Sequence, residues 1–588
     1  MSIDYESGVE SFAIRWDLAP VEILDVDAEE LEVEAACRRF AERYRGRIGS
    51  LGPEELAGAL DELARIRSTL VRLTSAARLR LALNVNGAAE RAAGARADAI
   101  AAGAEKLLRF FELEWLALLD SRAEELCASP SLAHACHMLR SIRRFAPHVL
   151  SEAEERALAA REAGAFEAWL ALYEQVVWTV ELELEGRSVA IYEALSYLRD
   201  PKRELRRTAL HELDRALARH AEVVAHCYDT VVGDRLAVDE LRGYRNPRAE
   251  RDLENELSAE VVDTMLDALD AHVGLVGRWY ERKAGLLGVP RLAIFDEHAP
   301  LGASEEMPFG EARSTIESAF AELAPELGDI ARAFFEEGRI DADPRPGRSG
   351  NAFCVPLGPR RPSYVLVSYT GKTDDVLQLA HELGHGVHYA LAGAAQDSLT
   401  FEAPPAIAEI AATFTELLVA NHLVAREPDP AARRALVASN LESSLRAVFH
   451  AAAFLRFEES AYEARAAGEP LTADRLAELW LAAHRAYYRD AFDVPDEYGL
   501  AWMAIPHFVE ARFYVYAYVF SHLLALALHA RLRESPAEVG ALFVEFLRYG
   551  GSRAPLDQLE ALGLMPTDHE TWRLGFTELE RLVALAAE

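Results

Sequence analysis

Apolar positions recur every three to four residues through most of the first half of the chain, the spacing that gives a helix one buried face. The pattern predicts helices over Leu31–Arg47, Pro53–Asn84 and Ala88–Ser121, with the turn Asn84-Val85-Asn86-Gly87 between the last two. Ser151 followed by Glu154 reads as a capping box opening another helix. Near Thr179 the period drops to two: Val180, Leu182 and Leu184 alternate with Glu181, Glu183 and Glu185, and Gly186 follows. This predicts a strand with one wet face, as in a hairpin arm. Helical spacing resumes around Tyr192, so a domain border is placed near residue 190, dividing the chain into 1–190 and 191–588. A second change comes at Asp341–Pro362, rich in Pro, Gly and Arg. Within and after it Asn351–Val355 and Ser363–Tyr369 are expected as short strands. A loop through Gly371 then leads into a helix capped by Asp374 or Asp375. From Pro404 the chain is helical again, with Pro404-Pro405 opening the next helix.

Composition narrows the class. With 588 residues, 51% of them hydrophobic, the chain is expected to be folded throughout, in more than one core. Its 62 basic and 96 acidic residues give a net charge of −34, a surface that repels phosphate backbones and anionic lipid. Nucleic-acid and membrane partners are therefore not expected. Most of the surplus is read as solvated exterior; a cleft lined by it would favour neutral or basic peptides. Cys37, Cys127, Cys136, Cys227 and Cys354 are odd in number and scattered, which suits buried free thiols in a reducing compartment. Met1–Glu10 has acidic residues and no apolar run, unlike a signal peptide. Ala517–Leu528 is too short to span a bilayer. A cytoplasmic enzyme is expected; the oligomeric state is left open.

The chemistry is concentrated at His381-Glu382-Leu383-Gly384-His385. On a helix the two imidazoles stack one turn apart and can grip one Zn²⁺, while Glu382 stands beside the metal as a base for a bound water. A third protein ligand is required. His388 is seven residues past His381, roughly 10 Å along the axis. Zinc bonds of about 2 Å exclude it from the same ion. It is read as a pocket-wall or packing residue. Downstream, the carboxylates in reach are Glu402, Glu409 and Glu416. Glu402 stands at the entrance of the next helix. Glu409 lies one turn inside it, in the apolar run Ala406-Ile407-Ala408-Glu409-Ile410-Ala411-Ala412, where a lone carboxylate is costly unless paired or metal-bound. Glu409 is assigned as the third ligand. Glu416, on the same face, is assigned as acceptor for a ligating histidine. His134 and His137 beside Cys136, and His226 beside Cys227, are read as buried structural residues rather than a second metal site.

With these residues in place the chain resembles the oligoendopeptidase F and thimet oligopeptidase group of zinc metallopeptidases. The likeness is carried by Gly350-Asn351-Ala352-Phe353-Cys354, by Asp375–Ala380 running into the His381 motif, by Pro404–Glu416, and by Pro506-His507-Phe508 with Phe513–Tyr518. Earlier, Leu113-Glu114-Trp115 and Arg144–His148 resemble the same group. The resemblance implies a mainly α, large multi-helical, clam-like body, with a small β-sheet beside the zinc-binding helix and a deep internal channel. It implies short peptides as substrates, one Zn²⁺ per chain, and hydrolysis of internal bonds by Glu382-assisted attack of a zinc-bound water. It carries His507 over as a catalytic group with Tyr516, and Tyr514 as a substrate contact. His388 and Ala352 are expected at the substrate too, Ala352 through a strand that pairs with the peptide backbone. Taken alone, the alternating Tyr514, Tyr516 and Tyr518 fit either a broken segment aiming phenols into a cavity or aromatic packing. The rivals are an exopeptidase of similar chemistry and a binding protein with a structural zinc; intact Glu382 argues against the second.

Overall fold

The computed structural model describes residues 14–21, 26–162, 164–302 and 306–587. The segment Met1–Glu10 lies outside them. Helices dominate, with a few short strands in small sheets. The described residues form two compact units, each assembled from three separate stretches of chain. The first draws on Met1–Ala146, Ser304–Leu423 and Arg531–Leu564; the second on Pro147–Ala303, Val424–Ala530 and Met565–Glu588. Residue 190 falls inside the second unit. The units interleave along the chain because each stretch packs on others hundreds of residues away.

In the first unit, helices Val26–Tyr44, Pro53–Leu83 and Ala88–Leu108 pack around Phe40, Leu60, Phe111 and Trp115. The helix expected over Ala88–Ser121 is broken at Arg109 and restarts as Phe110–Leu116. The break lets both Phe110 and Phe111 reach Phe40, at ring distances of 5.8 and 6.3 Å. A three-stranded sheet follows, ordered Ile340–Asp341, Ser363–Leu366, Phe353–Pro356. The first pair is parallel and the second antiparallel, and Phe353–Pro356 is an edge strand. Two of its strands pack on helix Thr373–Ala395. That helix is capped at Lys372, not at Asp374 or Asp375. The Asp375 carboxylate reaches back from the first turn to accept the backbone N–H groups of Thr370 and Lys372. Helix Pro405–Arg426 begins where the proline pair places it. It is the single described helix long and apolar enough to cross a membrane, and 61% of its most apolar window is buried inside the protein.

In the second unit the expected strand appears as Glu181–Leu184, paired with Arg187–Ala190 in a hairpin that buries Leu182 and Leu184 and exposes Glu181 and Glu183. Ser151 and Glu154 exchange the hydrogen bonds of a capping box. The five cysteines are free: Cys37, Cys127 and Cys227 are buried, Cys136 and Cys354 half-buried.

Candidate metal centre

Two helices of the first unit touch at glycine. A Cβ on Gly384 would fall 2.1 Å from Thr415 Oγ1 and 2.7 Å from Ala412 Cα, so only a residue without a side chain permits this approach. Gly386 is similarly tight, with the Phe334 ring 2.5 Å from where its Cβ would stand. The contact brings Glu409 over the two imidazoles one turn apart. Glu409 Oε2 lies 3.5 Å from His381 Nε2 and 3.9 Å from His385 Nε2. One ligand atom from each of the three residues falls within 4.8 Å of the others, the single such group among the described residues. The rings stand at 83° with centroids 5.1 Å apart. Glu416, two turns beyond Glu409, meets His381 from behind, its Oε2 3.1 Å from Nδ1. That contact fixes Nδ1 as the protonated nitrogen and leaves Nε2 with its lone pair toward the cluster.

The shared surroundings push the three groups in different directions. Burial disfavours charge on both imidazoles. At His381 the bonds to Glu409 and Glu416 overcome burial and hold it well above 6.5. At His385 burial prevails and lowers it to about 4. Burial would raise Glu409, yet the imidazoles hold it below the usual carboxylate range. Glu382 is 7% exposed, and burial pushes its carboxyl up to about 7. Two imidazoles and a carboxylate converging in a half-buried spot match a divalent zinc ion by donor chemistry, and the ion would take the place of the proton that His381 holds without it.

The remaining expected residues separate. Ala352 immediately precedes the edge strand Phe353–Pro356, whose outer side has no strand partner among the described residues. His388 is 3% exposed and lies 6.4 Å from the Phe546 ring, packed within the unit. Tyr389, four residues past His385 and so on its face, lies 6.4 Å from that ring.

In the second unit, Tyr516 is fully buried. Its hydroxyl accepts from Asn255 Nδ2 at 2.9 Å. The phenol beside His507 is instead Tyr518, its hydroxyl 3.4 Å from Nε2, with the Tyr514 ring stacked 5.9 Å away. The backbone between is not regular, the broken segment that the alternating tyrosines allowed. Phe513 has φ +55°, and helix Tyr516–Glu534 starts only afterwards. This left-handed residue is held from several sides. Glu458 accepts its N–H at 2.9 Å, Arg251 donates to the preceding carbonyl at 3.1 Å, and Arg512 forks onto Asp239 at 2.6 and 2.7 Å. His134 and His226, expected to be buried, are exposed; His134 lies 4.0 Å from Asp397 and His226 packs edge-on to Trp169.

Comparison with known proteins agrees with this geometry. A model described as peptidase family M3 matches residues 196–577, and one described as oligopeptidase F matches residues 114–179. The chain is 23% identical to oligopeptidase PepF of Bacillus subtilis over 537 residues, 90% of this chain and 80% of that protein. It is 27% identical to an oligoendopeptidase F homolog of Lactococcus lactis over 466 residues, 76% of each. Its fold is similar to that of oligoendopeptidase-F from Enterococcus faecium, with a TM-score of 0.71 and 22% identity, covering 95% of this chain and 98% of that one.

Proposed function

The chain belongs to peptidase family M3, and from that membership together with the His381–His385–Glu409 cluster we propose that it is a zinc-dependent oligoendopeptidase cutting internal bonds of short peptides. The observation that carries this reading is the convergence of three ligand atoms within 4.8 Å beside the buried Glu382. His381, His385 and Glu409 would hold the ion, and Glu416 would orient His381. Zinc, when bound, supplies Lewis acidity that polarises a carbonyl and makes water a stronger acid. Glu382 takes the proton of the attacking water on its carboxylate and returns it to the departing amine. Its buried position raises its basicity for the first transfer and readies its conjugate acid for the second. The free edge of Phe353–Pro356 would align the peptide as an added strand, with Ala352 at its start. His507 and Tyr516 keep the catalytic roles, and Tyr514 the substrate contact, that the resemblance gives them, with Tyr518 beside His507 as a further hydroxyl. Relatives named oligopeptidases support a substrate class of short peptides. Free thiols support a cytoplasmic location.

The test is Glu382→Gln. Metal analysis is expected to return one zinc per chain in both proteins, while turnover of an end-blocked, internally quenched peptide falls by about a hundredfold or more. Undiminished turnover would remove Glu382 from the mechanism. Failure of wild type to cut blocked peptides while trimming free ones would replace the endopeptidase with an exopeptidase.

A further inference from the structure

One peptide group in the second unit, the one joining Arg512 to Phe513, is gripped at both ends. Arg251 donates to its carbonyl at 3.1 Å, and Glu458 accepts its N–H at 2.9 Å. The side chains on either side are anchored as well. Arg512 forks onto Asp239 and also reaches Glu250 at 2.6 Å. The Phe513 ring packs 5.0 Å from that of Tyr462, which lies four residues after Glu458 and so on the same face of helix Ala451–Ala466. A bulky residue is thereby held at φ +55°, an angle that glycine takes without help and phenylalanine does not. Turning the peptide group over would relieve the strain, and both of its poles are tied against that motion.

Glu458 is fully buried, and only one of its oxygens is used: the other has no hydrogen-bond partner among the described residues. A half-satisfied buried carboxyl stabilises a fold less than an apolar side chain of similar size. Strain at Phe513 and desolvation at Glu458 both oppose folding, and such features persist where the geometry they impose is used. The geometry imposed here is the meeting of three groups. His507 precedes the bend, and Tyr514 and Tyr518 follow it. The Tyr514 ring stacks 5.9 Å from His507, and the Tyr518 hydroxyl comes 3.4 Å from His507 Nε2. The two tyrosine rings stand edge-on at 5.4 Å, and the Arg251 guanidinium lies over Tyr514 at 5.6 Å. The backbone angle at Phe513 therefore decides whether the two phenols reach the imidazole.

We propose that Glu458, together with Arg251, is a positioning residue: it fixes the peptide group between Arg512 and Phe513 and so seats Tyr514 and Tyr518 against His507. The proposal rests on the peptidase reading above, which gives His507 its part in the reaction. Glu458 is enclosed in the interior of its unit and acts through the backbone, not on the peptide that is cut. Losing its acceptor is therefore expected to lower kcat more than it changes KM, and to leave metal uptake alone. The acceptor matters here and the charge does not. Burial pushes the Glu458 carboxyl up to about 8, so near neutrality it is largely uncharged and glutamine reproduces it.

The experiment compares Glu458→Leu, which removes the acceptor, with Glu458→Gln, which keeps it. In the leucine variant kcat toward an end-blocked quenched peptide is expected to fall about tenfold, the scale of one hydrogen bond. KM and the content of one zinc per chain should barely move. Its melting temperature is expected to stay within about 5 °C of wild type, because the half-satisfied carboxyl leaves together with the bond. The glutamine variant is expected to keep kcat within about twofold. In a His507→Ala background, Glu458→Leu is expected to add less than about twofold, since the group it seats is already broken. The proposal is overturned by a leucine variant with wild-type kcat, by an equal loss in the glutamine variant, or by a loss that persists in full without His507. A melting temperature that collapses in step with kcat would assign a merely structural role and overturn it too. If Glu458→Leu does not fold, the decision passes to Arg251→Gln, which releases the carbonyl from a half-buried position. A kcat lowered about threefold there supports the clamp, and an unchanged kcat overturns it. These outcomes are read in an active wild type; a wild type that binds zinc and cuts no peptide would overturn the peptidase reading beneath the proposal.

Discussion

Two histidine pairs in this protein, half-buried but for His484, have nearly the same shape and opposite surroundings. His381 and His385 in the first unit, and His450 and His484 in the second, both stand edge to face with centroids 5.1 Å apart, at 83° and 90°. Each pair has a buried glutamate close by. In the second unit the polar atoms are largely spent on one another. Glu297 accepts the Tyr488 hydroxyl at 2.6 Å and faces His450 Nδ1 at 3.5 Å; Tyr498 lies 3.4 Å from the other His450 nitrogen. His484 Nδ1 bonds the Trp480 carbonyl of its own helix. In the first unit the two Nε2 atoms turn toward a single carboxylate oxygen, the single such convergence among the described residues. Residue type and burial do not distinguish a metal centre from a structural cluster. The direction of the unspent lone pairs does.

Breaking the first cluster should separate the two most sharply. Glu409→Ala is expected to lose stoichiometric zinc and with it detectable turnover, whereas His484→Gln keeps one zinc per chain, as read by metal analysis of the purified proteins. Equal zinc loss in both would mean that the metal is held elsewhere. A smaller effect is expected from Glu416→Gln, which keeps the shape behind His381 and removes the charge. Zinc affinity measured against a competing chelator should fall roughly 10- to 100-fold. The smallest effect belongs to the spent cluster. Glu297→Gln should leave zinc and turnover unchanged and cost about 1–3 kcal/mol of unfolding free energy. The cost should depend on pH in one direction. Burial would raise Glu297, but His450 and its neighbours hold it below its ordinary value of 4.5. Its stabilisation is therefore present above pH 4.5 and lost on acidification, so the gap between wild type and Glu297→Gln should close as pH falls below 4.5. A gap that widens on acidification would contradict that assignment.

The metal centre was readable in the sequence because its parts are local. One helical turn relates His381 to His385, two turns relate Glu409 to Glu416, and an apolar run marks Glu409 as anomalous. Pairing the two helices then needed only small residues at the contact, which Gly384 and Ala412 supply. The Glu297 cluster was not readable. Glu297, His450, His484 and Tyr498 come from four segments, and no spacing rule connects them. The place of Tyr518 beside His507 was not readable, because side-chain direction after Phe513 depends on a backbone angle that an aromatic residue rarely adopts. The cap at Lys372 was missed because the acceptor lies three residues inside the helix, reaching back, rather than at the cap position itself. The two compact units cross the chain several times, a property of long-range packing to which local periodicity is blind.

The side-chain-free contact at Gly384 makes the cluster sensitive at a position that offers no ligand atom. Even one methyl group there would collide with Thr415 and Ala412. It would part the helix that carries the imidazoles from the helix that carries Glu409, so alignment would be lost while every donor remained in the sequence.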